Sequence, residues 1–280
     1  MKILVDSCCD VGAGLFEDTR LDVAPLVITI DDTSYVDDGS VDIPSYLEAM
    51  RKSPHPARSA CPSPQLYAQK MTSDSDDCFV VTLSSKLSGS YNAAMVGRQL
   101  AAEDAPDQRV HVFDSESACA GETYLALMLR DLIAAGKSFD EIVSAVEEKI
   151  RSLHTLFVLD SLENLVKNGR VSRAIGLIAG VLSIRLVMSD DGTGGIKQLS
   201  KARGIKGALS QMVDTVKKHT EGLTAGSQRL VLSYCNCLER AKEVQRMIRE
   251  RCPAIGEIVL TPTSALSSMY AYDGGIVIAY

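Results

Sequence analysis

An ordered alternation of short apolar runs with stretches of helical periodicity limits this chain more than any other feature. Apolar runs of four to eight residues bounded by turn formers suit strands buried on both faces, and crossover helices between them make a parallel sheet. Strands are expected at Lys2–Val5, Val23–Ile30, Cys78–Leu83, Arg109–Phe113 and Thr155–Leu159. Helices fit Ile43–Lys52, where Pro44 suits a first turn, then Ser88–Ala102, Tyr124–Ala135 and Phe139–Leu153. Ser138 and Glu141 introduce the last of these in a capping-box arrangement.

A second unit opens near Leu156. Ser161–Lys167 and Arg173–Ala179 read as short helices, and Leu182–Met188 and Gly195–Ala202 as strands around an Asp190–Gly195 turn. Ile205–Lys218 follows as a long amphipathic helix, and Arg229–Ser233, Leu238–Glu250, Glu257–Leu260 and Gly275–Ala279 complete a further β-α-β-β series. No repeat, low-complexity tract or Gly/Ser linker separates the halves, so two α/β domains, 1–155 and 156–280, are expected to pack tightly. The cleft between them is the natural ligand site.

Composition narrows the class. With 46% hydrophobic and 23% charged residues the chain has the makings of a large core, which excludes disorder and fibre. No apolar run approaches the roughly 18 residues of a membrane span, Ala174–Ile184 being the longest candidate. Only Ile3, Leu4 and Val5 stand before Asp6, too few for a secretory core, so a cytoplasmic location is expected. The eight cysteines show no framework and read as reduced thiols. Cys235 and Cys237 are spaced too tightly for the usual zinc pair, and His55, His111, His154 and His219 do not surround them, so no structural metal is expected.

Charge is unevenly spread. Lys167 through Lys206 carries a balance of +6, including Arg170, Arg173, Arg185 and Arg203, against −13 elsewhere. A solvated basic face and a docking patch for an anion or acidic partner both fit. Nucleic acid does not, because the stretch has no aromatic for base stacking.

Three segments carry chemistry. Asp6-Ser7-Cys8-Cys9-Asp10 follows the first strand, where α/β proteins place ligands, although the same side chains can merely close a turn. In Ser59-Ala60-Cys61-Pro62-Ser63-Pro64 the prolines delay any helix until after Ser63, which can cap it, and Ser59 is left free. The segment from Leu83 to Ala94 runs from a strand into a helix with Ser84, Ser85, Ser88 and Ser90 around Gly89. Hydroxyls, unpaired N–H groups and the positive end of the helix dipole would converge there as an anion site built from neutral donors, or Ser88 would simply cap the helix.

Taken in order, these segments resemble the DegV-like bacterial proteins, fatty-acid-binding subunits of fatty acid kinase. The resemblance spans essentially the whole chain and adds Asp114-Ser115, Asn168-Gly169-Arg170-Val171-Ser172, Ile184-Arg185, Arg203 and the Gly274–Tyr280 ending to the three segments above. It implies a two-domain α/β fold, with a parallel N-terminal domain bearing the carboxylate-binding loops and a mixed C-terminal domain covering the acyl chain in a buried tunnel between them. It implies that the carboxylate of one long-chain fatty acid is held by Ser59, Ser88, the N–H groups around Gly89, and Ser90. It further implies a non-catalytic carrier without a cofactor, which presents the acid to a separate kinase subunit for conversion to an acyl phosphate. Arg170, Arg173 and Arg203 resemble basic positions on the face that meets that subunit, and a transient contact with a membrane surface is compatible with such a role.

The departures from the family pattern are specific. Ser59-Ala60 stands where Thr-Ser is common, Ile184-Arg185-Leu186 lacks a proline, and Tyr270 aligns with a histidine that often joins the carboxylate network. A phenol donates a hydrogen bond but carries no positive charge. A carrier for another small carboxylate and a serine-dependent hydrolase are the alternatives. The hydrolase is disfavoured because there is no GxSxG elbow and no motif places a histidine beside Ser7 or Ser88, and ATP binding through a P-loop is excluded because that motif is absent. Burying about sixteen carbons at ~0.8 kcal/mol per methylene gives on the order of 10 kcal/mol gross, sufficient for a lipid held by neutral head-group donors.

Overall fold

The structure is a computed structural model, and it describes residues 1–73, 76–179 and 183–280. The first elements are β1 (Lys2–Asp6), β2 (Leu21–Ala24), β3 (Val27–Ile30), β4 (Thr33–Val36), α1 (Ile43–Lys52), β5 (Arg58–Ala60) and α2 (Pro64–Met71). Then come β6 (Cys78–Thr82), α3 (Ser90–Asp104), β7 (Val110–Asp114), α4 (Ala120–Ala134) and α5 (Phe139–Ser152). The second half holds β8 (Thr155–Val158), α6 (Glu163–Lys167), α7 (Arg173–Ala179), β9 (Ile184–Asp190), β10 (Ile196–Arg203) and α8 (Gly204–His219). It ends with β11 (Gln228–Tyr234), α9 (Leu238–Arg251), β12 (Ile255–Pro262), α10 (Ala265–Ala271) and β13 (Ile276–Ala279).

An N-terminal parallel sheet in the order β2-β1-β6-β7 and a C-terminal mixed sheet in the order β10-β9-β8-β13-β11-β12 give the expected α/β architecture. In the second sheet only β11 and β12 are parallel. The parallel sheet packs α2 and α3 on its outer face, the mixed sheet packs α8 and α9 on its own, and α4 fills the space between the sheets. Helix α4 is buried almost all round, with Leu125, Ala126 and Leu129 fully inaccessible, as a helix without a polar face must be. One core therefore runs without interruption from Ile3 and Phe79 through α4 to Val231 and Val277.

Three expectations need correction. The run Val23–Ile30 is two strands, because Pro25 offers no N–H and restricts the residue before it. After it, β3 leaves the parallel sheet and forms a small antiparallel sheet, β4-β3-β5, with two short strands that apolar patterning did not reveal. The helix expected from Ser88 starts at Ser90, with Gly89 at its N-cap. The strand expected over Leu182–Met188 is observed from Ile184, Leu182 lying outside the described residues, as does part of the apolar run Ala174–Ile184. Helix α5 has the anticipated cap: Ser138 N–H donates to Glu141 Oε2 at 2.9 Å, and Glu141 N–H to Ser138 Oγ at 3.4 Å.

Candidate functional site

Side chains two apart on a strand share a face, and on β8 that face is Thr155 and Phe157, continued by Leu159 just beyond the strand. All three line a single cavity between the units, so its floor follows the chain through the five residues from Thr155 to Leu159, four steps or roughly 13 Å at a strand's rise. Leu83, Leu165, Leu266, Val277 and Cys8 close around it.

Two groups of polar contacts line the cavity. Arg170, Leu87 and Tyr270 form one. Arg170 donates from Nε to the Leu87 carbonyl at 2.9 Å and from Nη1 to the Asn168 carbonyl at 2.7 Å, and its guanidinium carbon lies 5.9 Å from the centre of the Tyr270 ring. These partners are neutral, so its charge is not cancelled by a carboxylate bond among the described residues. The Tyr270 hydroxyl is 3.5 Å from Ser59 Oγ. Ser117, Thr155 and Asp190, with Glu116 beside Ser117 in the chain, form the other group, around the start of β8.

The Ser88–Ser90 loop follows Leu87, which lines the cavity, while Ser59, Ser88, Gly89 and Ser90 lie outside its lining; an added Cβ at Gly89 would come within 3.3 Å of Cys61 Sγ. Ser88 Oγ accepts the Ser90 N–H at 3.2 Å and sits 3.2 Å from Ser90 Oγ, which belongs to a fully buried side chain. Gly89 brings no side chain to cap the first turn of α3. The structure thus joins Ser59 to Tyr270 and Ser88 to Ser90, and Arg170, half-buried, lines the cavity. Arg173 and Arg203 are exposed.

The Asp6–Asp10 segment closes turns from within the core. Asp6 accepts the N–H groups of Cys8 at 3.0 Å and Leu83 at 2.9 Å, and Asp10 accepts the Ser264 N–H at 2.9 Å. Burial raises both carboxyls to about 6, with hydrogen bonds partly opposing the shift. Burial, with the Asp6 charge adding to it, lifts Glu122 well above the carboxylate range. The Cys8 thiol is pushed far up by its hydrogen bond to Cys119 and by burial, so it lines the cavity as a neutral, weakly polar group. All the described cysteines are free. Among the described residues no group of three or more His, Cys, Asp and Glu side chains is placed to hold a metal, and no helix is long and apolar enough to cross a membrane.

Sequence reasoning missed the cavity wall, Thr155, Phe157, Leu159, Ser117 and Asp190. The alternation in Thr155–Leu159 is the signal that was there to be read, but it identifies a buried face without saying what that face meets.

A mixed sheet and a parallel sheet clasping a largely apolar cavity, lined also by Arg170 and Tyr270, define a two-unit α/β protein. Residues 1–280 match the DegV family model throughout, and the chain belongs to the DegV family. A DegV domain-containing protein of Streptococcus pneumoniae is 38% identical over 282 residues, covering 100% of this chain and 98% of the relative. A DegV family protein from Ruminococcus gnavus, solved with vaccenic acid, superposes with a TM-score of 0.92 at 40% identity, covering 100% of this chain and 99% of that one. The Streptococcus pneumoniae fatty acid kinase B3 protein, loaded with linoleic acid, gives 0.92 at 37% identity, with 100% and 98% covered.

Proposed function

We propose that this protein binds one long-chain fatty acid along the inner face of β8 and presents its carboxylate to a separate kinase subunit, without itself being a catalyst. The observation that carries the reading is the polarity of the cavity. An anionic head group is drawn toward Arg170, Tyr270 and Ser59 and repelled from Asp190 and Glu116, so the acid has one favoured direction. Ser88 and the Gly89 N–H complete the head-group donors, and Ser90, buried beneath Ser88, orients its hydroxyl. Hydrogen bonds from neutral donors remove the penalty of a bare buried carboxylate while leaving its oxygens reactive toward a phosphoryl donor. The relatives solved with vaccenic and linoleic acid support the ligand class, and the kinase protein among them supports the partner. Arg173 and Arg203, exposed, are assigned to that partner's docking.

Native mass spectrometry of the purified protein, with lipid extraction, tests the reading. The expected result is a bound fatty acid, a rise in melting temperature on adding palmitate or oleate, and affinity lowered by roughly 1–3 kcal/mol in Ser88→Ala through loss of a desolvated donor. An apo mass with no thermal shift refutes it.

A further inference from the structure

The part of the cavity at the start of β8, about 13 Å along the floor from Leu159, is built in a way that an unsubstituted acyl chain does not need. Ser117 and Thr155, 6% and 8% exposed, both line it, and their hydroxyl oxygens are 2.7 Å apart. Two hydroxyls in mutual contact use one proton between them, which leaves the second proton to donate elsewhere. The Thr155 N–H donates to Asp190 Oδ2 at 3.0 Å, which brings a carboxylate acceptor to the same corner. Gly121 of α4 makes the space: a Cβ there would overlap Ser117 Oγ and come within 3.2 Å of Thr155 Oγ1. The β9–β10 turn shuts the end, with Ser84 Oγ donating to the Gly194 carbonyl at 2.7 Å.

From this corner we infer that the preferred ligand is a long-chain fatty acid bearing a hydroxyl in the tail half of its chain. The inference rests on the fatty-acid reading above and names the substrate class within it. The ligand hydroxyl accepts the spare Ser117/Thr155 proton and donates to Asp190, so both of its roles are met. Asp190 also accepts the Ser189 hydroxyl at 3.4 Å and the Gly192 N–H at 3.1 Å and can take a further donor. An unsubstituted tail, however, leaves the spare hydroxyl proton of the pair without an acceptor among the described residues, which is the basis on which a buried polar site discriminates against an analogue lacking the hydroxyl.

Competition binding on the full chain tests this with oleic against ricinoleic acid and palmitic against omega-hydroxypalmitic acid, with alpha-hydroxypalmitic acid placing the hydroxyl at the wrong end. At least one tail-hydroxylated acid should bind about 2- to 10-fold tighter than its parent, and the alpha-hydroxy acid should not. In Ser117→Ala, and separately in Thr155→Val, each checked for folding by thermal melt, that ratio should fall to near one. Equal binding of parent and tail-hydroxylated acids, or a preference unchanged in both variants, overturns the subsite while the fatty-acid reading stands. Failure of every acid to bind overturns the reading beneath it as well.

Discussion

Lowering the pH from about 7.5 to about 5 should make this protein more stable, the reverse of ordinary acid behaviour. Asp6 and Asp10 are fully buried between the sheets, and burial raises each from 3.8 to about 6. A carboxyl with a higher pKa in the fold than in the open chain holds its proton more tightly when folded. Its penalty is absent below the open-chain value, grows as pH rises, and is complete above about 6. A shift of about two units corresponds to roughly 3 kcal/mol, of which about 1 to 2 kcal/mol is regained between pH 7.5 and 5, or roughly 3 kcal/mol for the pair. Glu122, protonated in the fold across this window but ionised in the open chain, adds to the same trend, as does Asp37, raised by burial, while His219, lowered by burial, opposes it. Urea unfolding at the two pH values, followed by circular dichroism, measures the difference. Asp10→Asn should reduce the stability difference between the two pH values by about 1 to 2 kcal/mol, whatever its own effect on stability. A wild-type midpoint that falls on acidification, or a slope unchanged in Asp10→Asn, would refute the argument.

Tyr270→Phe should weaken fatty-acid binding by several-fold through loss of the hydroxyl facing Ser59, with the melting temperature of the ligand-free protein nearly unchanged; isothermal titration and a thermal melt read the two effects. Gly194→Ala should cost about 1 kcal/mol or more beyond Gly192→Ala in a denaturant titration. Both glycines have positive φ, but a methyl group on Gly194 would also overlap Ser84 Oγ, whereas Gly192 has nothing within 4 Å. Arg173→Glu with Arg203→Glu should slow acyl-phosphate formation with a cognate kinase subunit, most at low ionic strength, and leave fatty-acid affinity unchanged, as rim charges act on encounter.

The sequence carried the parts of the fold that depend on neighbours along the chain. The capping box at Ser138 and the apolar run Cys78–Leu83 stand where their local chemistry put them, within a residue or so. What it could not carry was partner choice. Nothing in Ile276–Ala279 says that this strand pairs with β8 and β11, far earlier in the chain. The three-residue strand Arg58–Ala60 is too short for periodicity to show, and it exists because β3 offers it an edge. At the candidate site the sequence offered Ser59 and Ser88 as hydroxyls, and the structure sets them against Tyr270 and Ser90, whereas the direction of Arg170 could not be read. Its basic neighbourhood suggested a surface, and only the Leu87 and Asn168 carbonyls turn it toward the cavity.

The position of α4 also governs how a guest gets in and out. Swinging the two sheets apart would strip one wall or the other from a helix whose Leu125, Leu127 and Leu129 are essentially inaccessible. At about 1.5–3 kcal/mol per side chain, wetting those three alone costs on the order of the whole stability of a typical domain. The molecule therefore cannot trade ligand as a clamshell does. On the fatty-acid reading proposed above, loading and release would run through small excursions of the shell, such as the turn at Gly194 or the segment bearing Tyr270. Residence time is then set by how often a few peripheral residues yield, while the interior stays shut.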